Sequence, residues 1–283
     1  MKLPDEIISG LYSFVFLLVL MVVYALSLPN AVVGVSYYLT PDFSILTDFS
    51  VWIAAFGQAF FSLGVGFGIL LTYGSYLDDR INLVTDSGII AFFDLLISFI
   101  SGLLIFPIVF SFGFEPASGP KLAFSTLPLI FAQVPYGSVL AGIFFLLLFF
   151  AALTSAISLL EVGVAVLVDE TALSRFKASL LLSGIIFVLG LPAAVSYSRL
   201  NLQLMNTPVL DLLDSSFGPL GLILSALFIS VSVTWFIDKR VIVNQINRNI
   251  RWNVGKRMFL LLKYFIPLAL LAVFIARIAG YLT

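Results

Sequence analysis

An aspartate, Asp94, interrupts the long apolar stretch 88–113, and Ser98 follows it one helical turn later. A carboxylate at the centre of a bilayer costs at least about 2.5–3.5 kcal/mol, so it must face the interior of a helix bundle and have a partner. No lysine or arginine lies in the core of a neighbouring apolar stretch. The partner of Asp94 is therefore a bound cation, a proton or another chain, and Glu161 raises the same question in a later stretch.

Hydroxyl side chains fall on one face of the apolar stretch 138–166. Ala151, Thr154, Ser155 and Ser158 stand at positions i, i+3, i+4 and i+7, which lie on one side of a helix. Such hydroxyls usually bond a carbonyl of their own helix or a neighbouring helix, and the pattern alone favours that interpretation. Hydroxyl and carbonyl oxygens are also the ligands that replace the hydration shell of a monovalent cation.

Three glycines, Gly64, Gly66 and Gly68, occupy alternate positions in the middle of the apolar stretch 51–76. Each costs about 1 kcal/mol relative to alanine inside a helix. A helix-packing motif repeats every four residues on one face, whereas alternate glycines lie on successive sides. The pattern favours a local break over a packing groove. A break frees backbone groups that are tolerated at membrane depth only where they line a cavity or bind a ligand.

The composition is that of a membrane protein. Of the 283 residues, 61% are hydrophobic and 10% are charged, against about 25% charged residues in soluble domains. The absence of cysteine and histidine excludes thiol catalysis, disulfides and imidazole-dependent triads. The two intramembrane carboxylates show no paired catalytic pattern, so we predict no catalytic residues and no enzyme. No basic face with interleaved aromatics indicates a nucleic-acid partner.

Hydropathy, with glycine, proline and charge as boundaries, predicts an all-α polytopic protein with one transmembrane domain, residues 1–283. About seven spans are predicted, at 9–28, 51–76, 88–113, 138–166, 176–198, 217–237 and 259–280. The proline-rich segment 114–137 contains an apolar stretch too short to span, which predicts short helices forming a lid over the outer mouth. The basic segment 238–258, with Trp252, is typical of an interfacial anchor.

The distribution of positive charge predicts a cytoplasmic N-terminus, because lysine and arginine concentrate in cytoplasmic loops. In that orientation eleven of these residues lie in inner segments and three in outer segments. The inner ones are Lys2, Arg80, Arg175, Lys177, Lys239, Arg240, Arg248, Arg251, Lys256, Arg257 and Lys263; the outer ones are Lys121, Arg199 and Arg277. We expect a multi-pass protein of the cell membrane in contact with membrane lipid.

Several stretches resemble the neurotransmitter:sodium symporter family, specifically its bacterial sodium-dependent amino-acid transporters. They are VWIAAFGQAFFSLGVGFG at 51–68, TYGSY at 72–76, FISGLLIFP at 99–107, AALTSAIS at 151–158 and the pair Asp169-Glu170. The resemblance implies a LeuT-type fold of two inverted five-helix repeats, with a broken helix near 64–68. The chain resembles the family from its fifth span onward. Its second to sixth spans would be the second repeat, its seventh an extra terminal helix, and the first four family spans are absent.

The resemblance also implies roles for individual residues. Ser62 and Asp94 resemble ligands of a first sodium site, and Ala151 (by its carbonyl), Thr154 and Ser155 resemble those of a second. The substrate-pocket lining would be Phe61, Gly64, Gly66, Phe67, Ser155 and Leu159, with Phe67 under the substrate side chain and Phe61 in the outer lid. Gln58 and Asp214 resemble members of the outer gate. Asp169 resembles the inner gate carboxylate, whose usual arginine partner lies in the absent N-terminal segment. No cofactor is implied beyond co-transported sodium ions.

The function implied by the resemblance is a sodium-coupled amino-acid symporter, with this chain as its C-terminal part and a partner chain supplying the four absent spans. Those spans hold about half of both sodium sites in the family. Alternating access would follow because each ligand binds the outward and inward states unequally. Asp94 stands where many animal members have asparagine beside chloride, so we expect chloride-independent activity. Gly64, where some relatives have serine, favours a medium or large apolar amino acid.

A different class of function remains the alternative: a non-transporting membrane subunit, or a truncated remnant of such a transporter. A neighbouring reading frame that encodes four spans with a glycine-interrupted first helix would favour the split transporter. A homodimer fits less well, because identical copies in one orientation cannot reproduce inverted repeats.

Overall fold

The protein is built from helices joined by short turns. The computed structural model describes residues 5–78, 81–116, 120–134, 136–248 and 254–282. The α-helices are α1 (Asp5–Leu26), α2 (Ala31–Leu39), α3 (Phe49–Ser62), α4 (Ile69–Ser75), α5 (Leu83–Ser111), α6 (Leu127–Phe131), α7 (Gly137–Glu170), α8 (Arg175–Ala194), α9 (Val209–Phe217), α10 (Pro219–Phe236), α11 (Lys239–Asn247), α12 (Gly255–Leu260) and α13 (Ile266–Leu282). Strands β1 (Gln203–Leu204) and β2 (Thr207–Pro208) pair antiparallel. A 3-10 helix covers Phe43–Thr47, and π-helical turns cover Leu122–Thr126 and Leu261–Phe265.

Five helical segments within the described residues are long and apolar enough to cross a membrane. They are Leu83–Ser111, Gly137–Glu170, Arg175–Ala194, Val209–Phe236 and Gly255–Ile278. A sixth is obtained if Tyr12–Leu26 and Ala31–Thr47, which meet at a bend of 112°, form one span. The number is lower than the predicted seven partly because the predicted span 51–76 is not one helix. It is divided into α3 and α4, and neither half has the length of a span.

The connecting segments contain more helix than hydropathy indicates. Helix α2 lies in a segment that the sequence analysis treated as a connection between spans. Segment 114–137 contains a π-helical turn and the short helix α6, and its Pro135 lies outside the described residues. Helix α11 occupies the first part of the predicted interfacial anchor, but Trp252 lies outside the described residues.

The first of two compact units comprises Met1–Asp42 and Leu95–Ile157. Helix α2 packs closely on α5 because Gly34 has no side chain; a Cβ there would lie 2.4 Å from the carbonyl oxygen of Phe106. The largest fully buried side chains in the core of this unit are Met21, Val109, Leu127 and Ile130.

The second unit comprises Phe43–Asp94 and Ser158–Thr283. Helices α10 and α13 pack side by side. Their buried residues Ile223, Ala226, Leu270 and Val273 form the core, against which Ile53, Phe60 and Val65 pack. The α10–α13 pair therefore supports the end of α3 and the turns that follow it.

Candidate functional site

The predicted span 51–76 is broken where its three glycines stand. Helix α3 ends at Ser62 and α4 begins only at Ile69. Gly64, Gly66 and Gly68 have φ angles of +68°, +93° and +82°, which glycine adopts at little cost and other residues avoid. The predicted break near 64–68 is confirmed.

The helix before the break has well-defined ends. Asp48 caps its first turn, where the carboxylate Oδ1 accepts a hydrogen bond from the Ser50 amide at 2.9 Å. The hydroxyl and amide of Ser50 hold the pKa of the Asp48 carboxyl below its ordinary value. At the other end, the Leu63 and Val65 amides donate to carbonyls of the last turn of α3 at 3.0 and 2.9 Å. The helix therefore terminates with hydrogen-bonded backbone before it reaches the glycines.

The carbonyl of Gly66, inside the break, is held from α10. The Ser225 hydroxyl donates to it at 2.6 Å. A Cβ on Gly66 would lie 2.5 Å from the carbonyl oxygen of Leu222, one turn earlier on α10. The broken segment therefore lies directly on α10, and only glycine fits the contact. Sequence reasoning missed Ser225, whose only signal was a hydroxyl within an apolar span.

Ser225→Ala is expected to lower the free energy of unfolding by about 1 kcal/mol, because the Gly66 carbonyl loses its donor. Ser232→Ala removes an exposed hydroxyl from the same helix and serves as the matched control. Thermal unfolding of both variants in detergent measures the difference. If both variants have the wild-type unfolding temperature, the hydrogen bond does not stabilise the break.

Asp94 lies beside the end of the broken helix. The Ser62 hydroxyl donates to Asp94 Oδ1 at 2.7 Å, and both side chains are partly buried. Ser62 is the last residue of α3, so the hydrogen bond joins the edge of the break to α5. Within the described part of the chain, no lysine or arginine forms an ion pair with Asp94. The structure thus brings together both side chains predicted for the first sodium site.

The hydroxyls predicted for the second sodium site converge on one carbonyl oxygen in the first unit. Thr154 and Ser155 donate to the Ala151 carbonyl at 2.9 and 3.2 Å. These are the internal hydrogen bonds that the sequence pattern alone favours. They also place three oxygens at one turn of α7. Ala151 lines an apolar cavity of about 340 Å³ together with Leu104 and Leu147.

Glu161 has two partners within the chain, which answers the question that the sequence left open. The Tyr76 hydroxyl donates to Glu161 Oε1 at 2.7 Å. The Arg175 guanidinium forms an ion pair with the same carboxylate oxygen. Hydropathy placed Arg175 outside the spans, but the short connection between α7 and α8 returns it to the level of Glu161. Glu161 is therefore a paired carboxylate, which distinguishes it from Asp94.

Four of the six residues predicted to line the substrate pocket, Phe61, Gly64, Gly66 and Phe67, lie at the break. The rings of Phe61 and Phe67 meet edge to face, with centroids 5.9 Å apart. A Cβ on Gly64 would meet only Ile69 Cδ1, at 3.8 Å, so there is free space beside it. Leu159 belongs to the same compact unit as these residues, whereas Ser155 belongs to the other.

The predicted gate residues Gln58, Asp169 and Asp214 are exposed. Among the described residues, no hydrogen bond or ion pair joins their side chains to a partner, and none joins Gln58 to Asp214. Asp211, one turn before Asp214 on α9, accepts a hydrogen bond from the Tyr197 hydroxyl at 2.6 Å. That bond fixes α9 to the turn that follows α8.

These features define a polytopic α-helical membrane protein with a discontinuous helix beside a carboxylate that forms no ion pair with the residues described by the structure. The chain belongs to the Sodium:neurotransmitter symporter family, whose family model matches residues 7–283. The resemblance noted from the sequence is thereby confirmed. Membership of a transporter family also agrees with the prediction that the chain is not an enzyme.

Similar proteins include two bacterial transporters and an insect one. The uncharacterized sodium-dependent transporter YhdH of Bacillus subtilis is 34% identical over 277 residues, covering 96% of this chain and 61% of the relative. An uncharacterized sodium-dependent transporter of Haemophilus influenzae is 35% identical, covering 94% of this chain and 58% of the relative. The sodium-dependent serotonin transporter of Drosophila melanogaster is 31% identical, covering 97% of this chain and 44% of the relative.

A solved structure establishes the fold class. The crystal structure of MhsT in complex with L-phenylalanine matches with a TM-score of 0.80 at 34% identity, covering 93% of this chain and 60% of MhsT. The all-α, LeuT-type fold is therefore confirmed. The chain spans about 60% of the length of MhsT and of the two bacterial relatives.

Proposed function

We propose that the chain is the C-terminal part of a sodium-coupled amino-acid symporter that works by alternating access. The observation that carries this proposal is the pair formed by Ser62 and Asp94 at the edge of the broken helix. A carboxylate within a membrane needs a positive partner, and no lysine or arginine of the described residues supplies one. Sodium has the required charge and accepts hydroxyl, carboxylate and carbonyl oxygens. The related bacterial proteins are named as sodium-dependent transporters.

The second sodium site consists of Ala151, through its carbonyl, with Thr154 and Ser155. The hydroxyl oxygens of Thr154 and Ser155 lie 2.9 and 3.2 Å from the Ala151 carbonyl oxygen, to which both donate. Sodium entry requires each hydroxyl to release that carbonyl and turn a lone pair toward the ion. The change costs little, because ion–oxygen contacts replace the two hydrogen bonds. Sodium binding at this turn of α7 thereby competes with the internal bonding of the helix.

The substrate we propose is an amino acid with a medium or large apolar side chain. Phe61 and Phe67 offer aromatic surface at the break, and Gly64 leaves space between them and Ile69. Gly66, Ser155 and Leu159 complete the proposed lining. The related MhsT structure contains L-phenylalanine, which supports an apolar side chain of this size and supplies a probe.

The gates and the orientation complete the mechanism. Gln58 and Asp214 would close the outer side after substrate binds, and Asp169 would belong to the inner gate. We propose that the segments 239–248 and 254–263 and the N-terminus lie on the cytoplasmic side of the cell membrane, which the excess of lysine and arginine in these segments supports. Coupling arises because sodium favours the outward-open state and substrate favours closure of the outer gate.

We also propose that a partner chain supplies four further spans. This chain matches 61% and 58% of the two bacterial relatives, so about 40% of each relative lies outside the match. The side chains of Phe61 and Leu159 are 51% and 41% exposed, which is high for the lining of a substrate pocket. A covering segment from a partner would bury them and supply the remaining ligands of both sodium ions.

The test is binding of radiolabelled L-phenylalanine to purified protein in sodium and in potassium. The chain is measured alone and after co-expression with the product of a neighbouring reading frame that encodes four spans. We expect saturable binding only in sodium, and only in the co-expressed sample. If this chain and the four-span product form a stable complex that does not bind L-phenylalanine, the chain is better explained as a non-transporting subunit. If no neighbouring reading frame encodes four spans, a truncated remnant is the better explanation.

Chloride independence is a separate expected result. Asp94 places a fixed negative charge next to the first sodium site, so no bound chloride is needed to balance the ion. Replacement of chloride by gluconate should change the sodium-dependent uptake of the reconstituted complex by less than a factor of about 2. Asp94→Asn removes the charge and provides the comparison. A requirement for chloride in the wild-type complex would contradict this role for Asp94.

A further inference from the structure

Two lysines share one buried aromatic ring at the junction of α10, α11 and α12. The Nζ atoms of Lys239 and Lys263 lie 5.5 and 5.7 Å from the centroid of the Phe259 ring, which is 3% exposed. Lys263 Nζ also lies 4.8 Å from the centroid of Trp235 and 5.9 Å from that of Tyr264. The two ammonium groups are therefore no more than about 11 Å apart, which is comparable to the Debye length at physiological ionic strength.

Lys263 lies in a π-helical turn whose backbone is hydrogen-bonded to α10. The π-helical turn Leu261–Phe265 directs the Ile266 amide to the carbonyl of Leu261, so the Leu262 carbonyl loses its usual helical donor. Ser230 of α10 donates to that carbonyl instead, at 3.2 Å.

The next carbonyl along, that of Lys263, also has no helical donor, because Pro267 has no amide hydrogen. The indole Nε1 of Trp235 donates to it at 3.4 Å. Two side chains of α10 thus attach to the π-helical turn, and one of them is the ring over which the Lys263 ammonium lies. The position of the charge is fixed by the fold rather than by a flexible side chain alone.

The cluster lacks a negative partner among the described residues. Neither lysine forms an ion pair there. The adjacent acidic residue, Asp238, uses its Oδ1 to accept the Arg240 amide at 2.8 Å as the cap of α11. Lys256 and Arg257 add exposed positive charge at the start of α12. An anion bound between the two ammonium groups would relieve their mutual repulsion and add to the cation–π contacts that hold them.

Apolar side chains surround the cluster and remain exposed. Phe236, Leu260, Leu261 and Phe265 are between 52% and 84% exposed, and Trp235 and Tyr264 have the amphipathic character of residues at a membrane surface. A free phosphate would contact the ammonium groups but not this apolar surface. A phospholipid would contact both, with its phosphate at the lysines and its acyl chains along α10 and α13.

We propose that Lys239 and Lys263, held on Phe259 and Trp235, bind the headgroup of an anionic phospholipid at the membrane surface between α10, α11 and α12. Basic pockets between membrane helices are suited to such headgroups. The proposed orientation places this site in the cytoplasmic leaflet, and only the assignment to that leaflet rests on the proposed function. The binding itself requires neither sodium nor an amino acid.

The test is native mass spectrometry of the purified chain titrated with phosphatidylglycerol or phosphatidylcholine. The double variant Lys239→Gln/Lys263→Gln should bind phosphatidylglycerol about 25-fold more weakly than the wild-type protein, which is about 5-fold per lysine. Its affinity for phosphatidylcholine should be unchanged. The double variant Lys239→Arg/Lys263→Arg keeps the charges and should restore most of the affinity. Lys121→Gln/Arg199→Gln removes two exposed charges elsewhere and should have no effect.

Three outcomes overturn the proposal. One is equal weakening by Lys121→Gln/Arg199→Gln, which would show a general charge effect. Another is unchanged phosphatidylglycerol binding in the glutamine variant. The third is displacement of the lipid by millimolar inorganic phosphate or glycerol phosphate, which would show a site for a free phosphate anion. A thermal unfolding curve for each variant confirms that the compared proteins are folded.

Discussion

Gly66→Ala is expected to lower the free energy of unfolding by about 2–5 kcal/mol. The new Cβ would lie 2.5 Å from the carbonyl oxygen of Leu222, which belongs to the backbone of α10 and cannot rotate away. A φ of +93° adds backbone strain of about 1–2 kcal/mol for a residue with a Cβ, and overpacking typically costs about 1–3 kcal/mol. Thermal and denaturant unfolding in detergent measures the loss.

Two other glycines provide matched controls for that prediction. Gly64→Ala has the same kind of strain at φ +68° but only Ile69 Cδ1 nearby, at 3.8 Å, so its cost should be about 1–2 kcal/mol. Gly57 lies inside α3, and a Cβ there would have nothing within 4 Å, so Gly57→Ala should be neutral or stabilising. If Gly64→Ala lowers the free energy of unfolding as much as Gly66→Ala does, the close contact of Gly66 with α10 is not what makes glycine necessary there.

Asp94→Ala is expected to raise the sodium concentration needed for half-maximal L-phenylalanine binding by at least about 100-fold. The reason is that a charged ligand contributes about 3 kcal/mol in a site of low dielectric constant. Ser62→Ala removes one neutral oxygen and the donor to Asp94, so we expect about a 10-fold effect. The measurement is a sodium titration of substrate binding by the co-expressed complex.

The control for Asp94→Ala is Asp86→Ala, which removes the same charge from the same helix two turns earlier. Its sodium titration should match that of the wild-type protein. Ser155→Ala tests the second site in the same assay; it removes one neutral oxygen, so it should raise the half-maximal sodium concentration by about 10-fold. If binding is unchanged in both Asp94→Ala and Ser155→Ala, the proposed sodium ligands are wrong.

The sequence was sufficient to locate the break, because its cause is local. Alternate glycines cannot form a one-sided packing motif, and glycine permits the positive φ angles that Gly64, Gly66 and Gly68 adopt. The need of Asp94 for a partner also followed from its position in an apolar stretch. That Ser62 is the residue beside it came only from the family resemblance, since it depends on how α3 and α5 pack.

Contacts between distant segments were beyond sequence reasoning. The Ser225 hydroxyl meets the Gly66 carbonyl across 159 positions, and one helical step in the register of α10 would separate them. The partner of Glu161 was missed for a different reason. Hydropathy excludes Arg175 from the spans, whereas the short α7–α8 connection brings its guanidinium back to the carboxylate. Helix α2 was missed because it lies beyond the predicted first span.

On the hydroxyl face of α7, the sequence pattern and the structure agree. The spacing predicts that Thr154 and Ser155 share a side of the helix, and both donate to the Ala151 carbonyl. Internal hydrogen bonding and a sodium site use the same three oxygens, so their grouping supports both. The assignment of this cluster to sodium stays a prediction that direct binding must test.

The central claim is that the oxygens around the break and on α7 bind sodium, and equilibrium binding of ²²Na⁺ to the purified complex tests it most directly. We predict saturable binding that unlabelled sodium displaces and potassium does not, and that disappears in the double variant Asp94→Ala/Ser155→Ala. Equal displacement by potassium, or undiminished binding in the double variant, would contradict the claim.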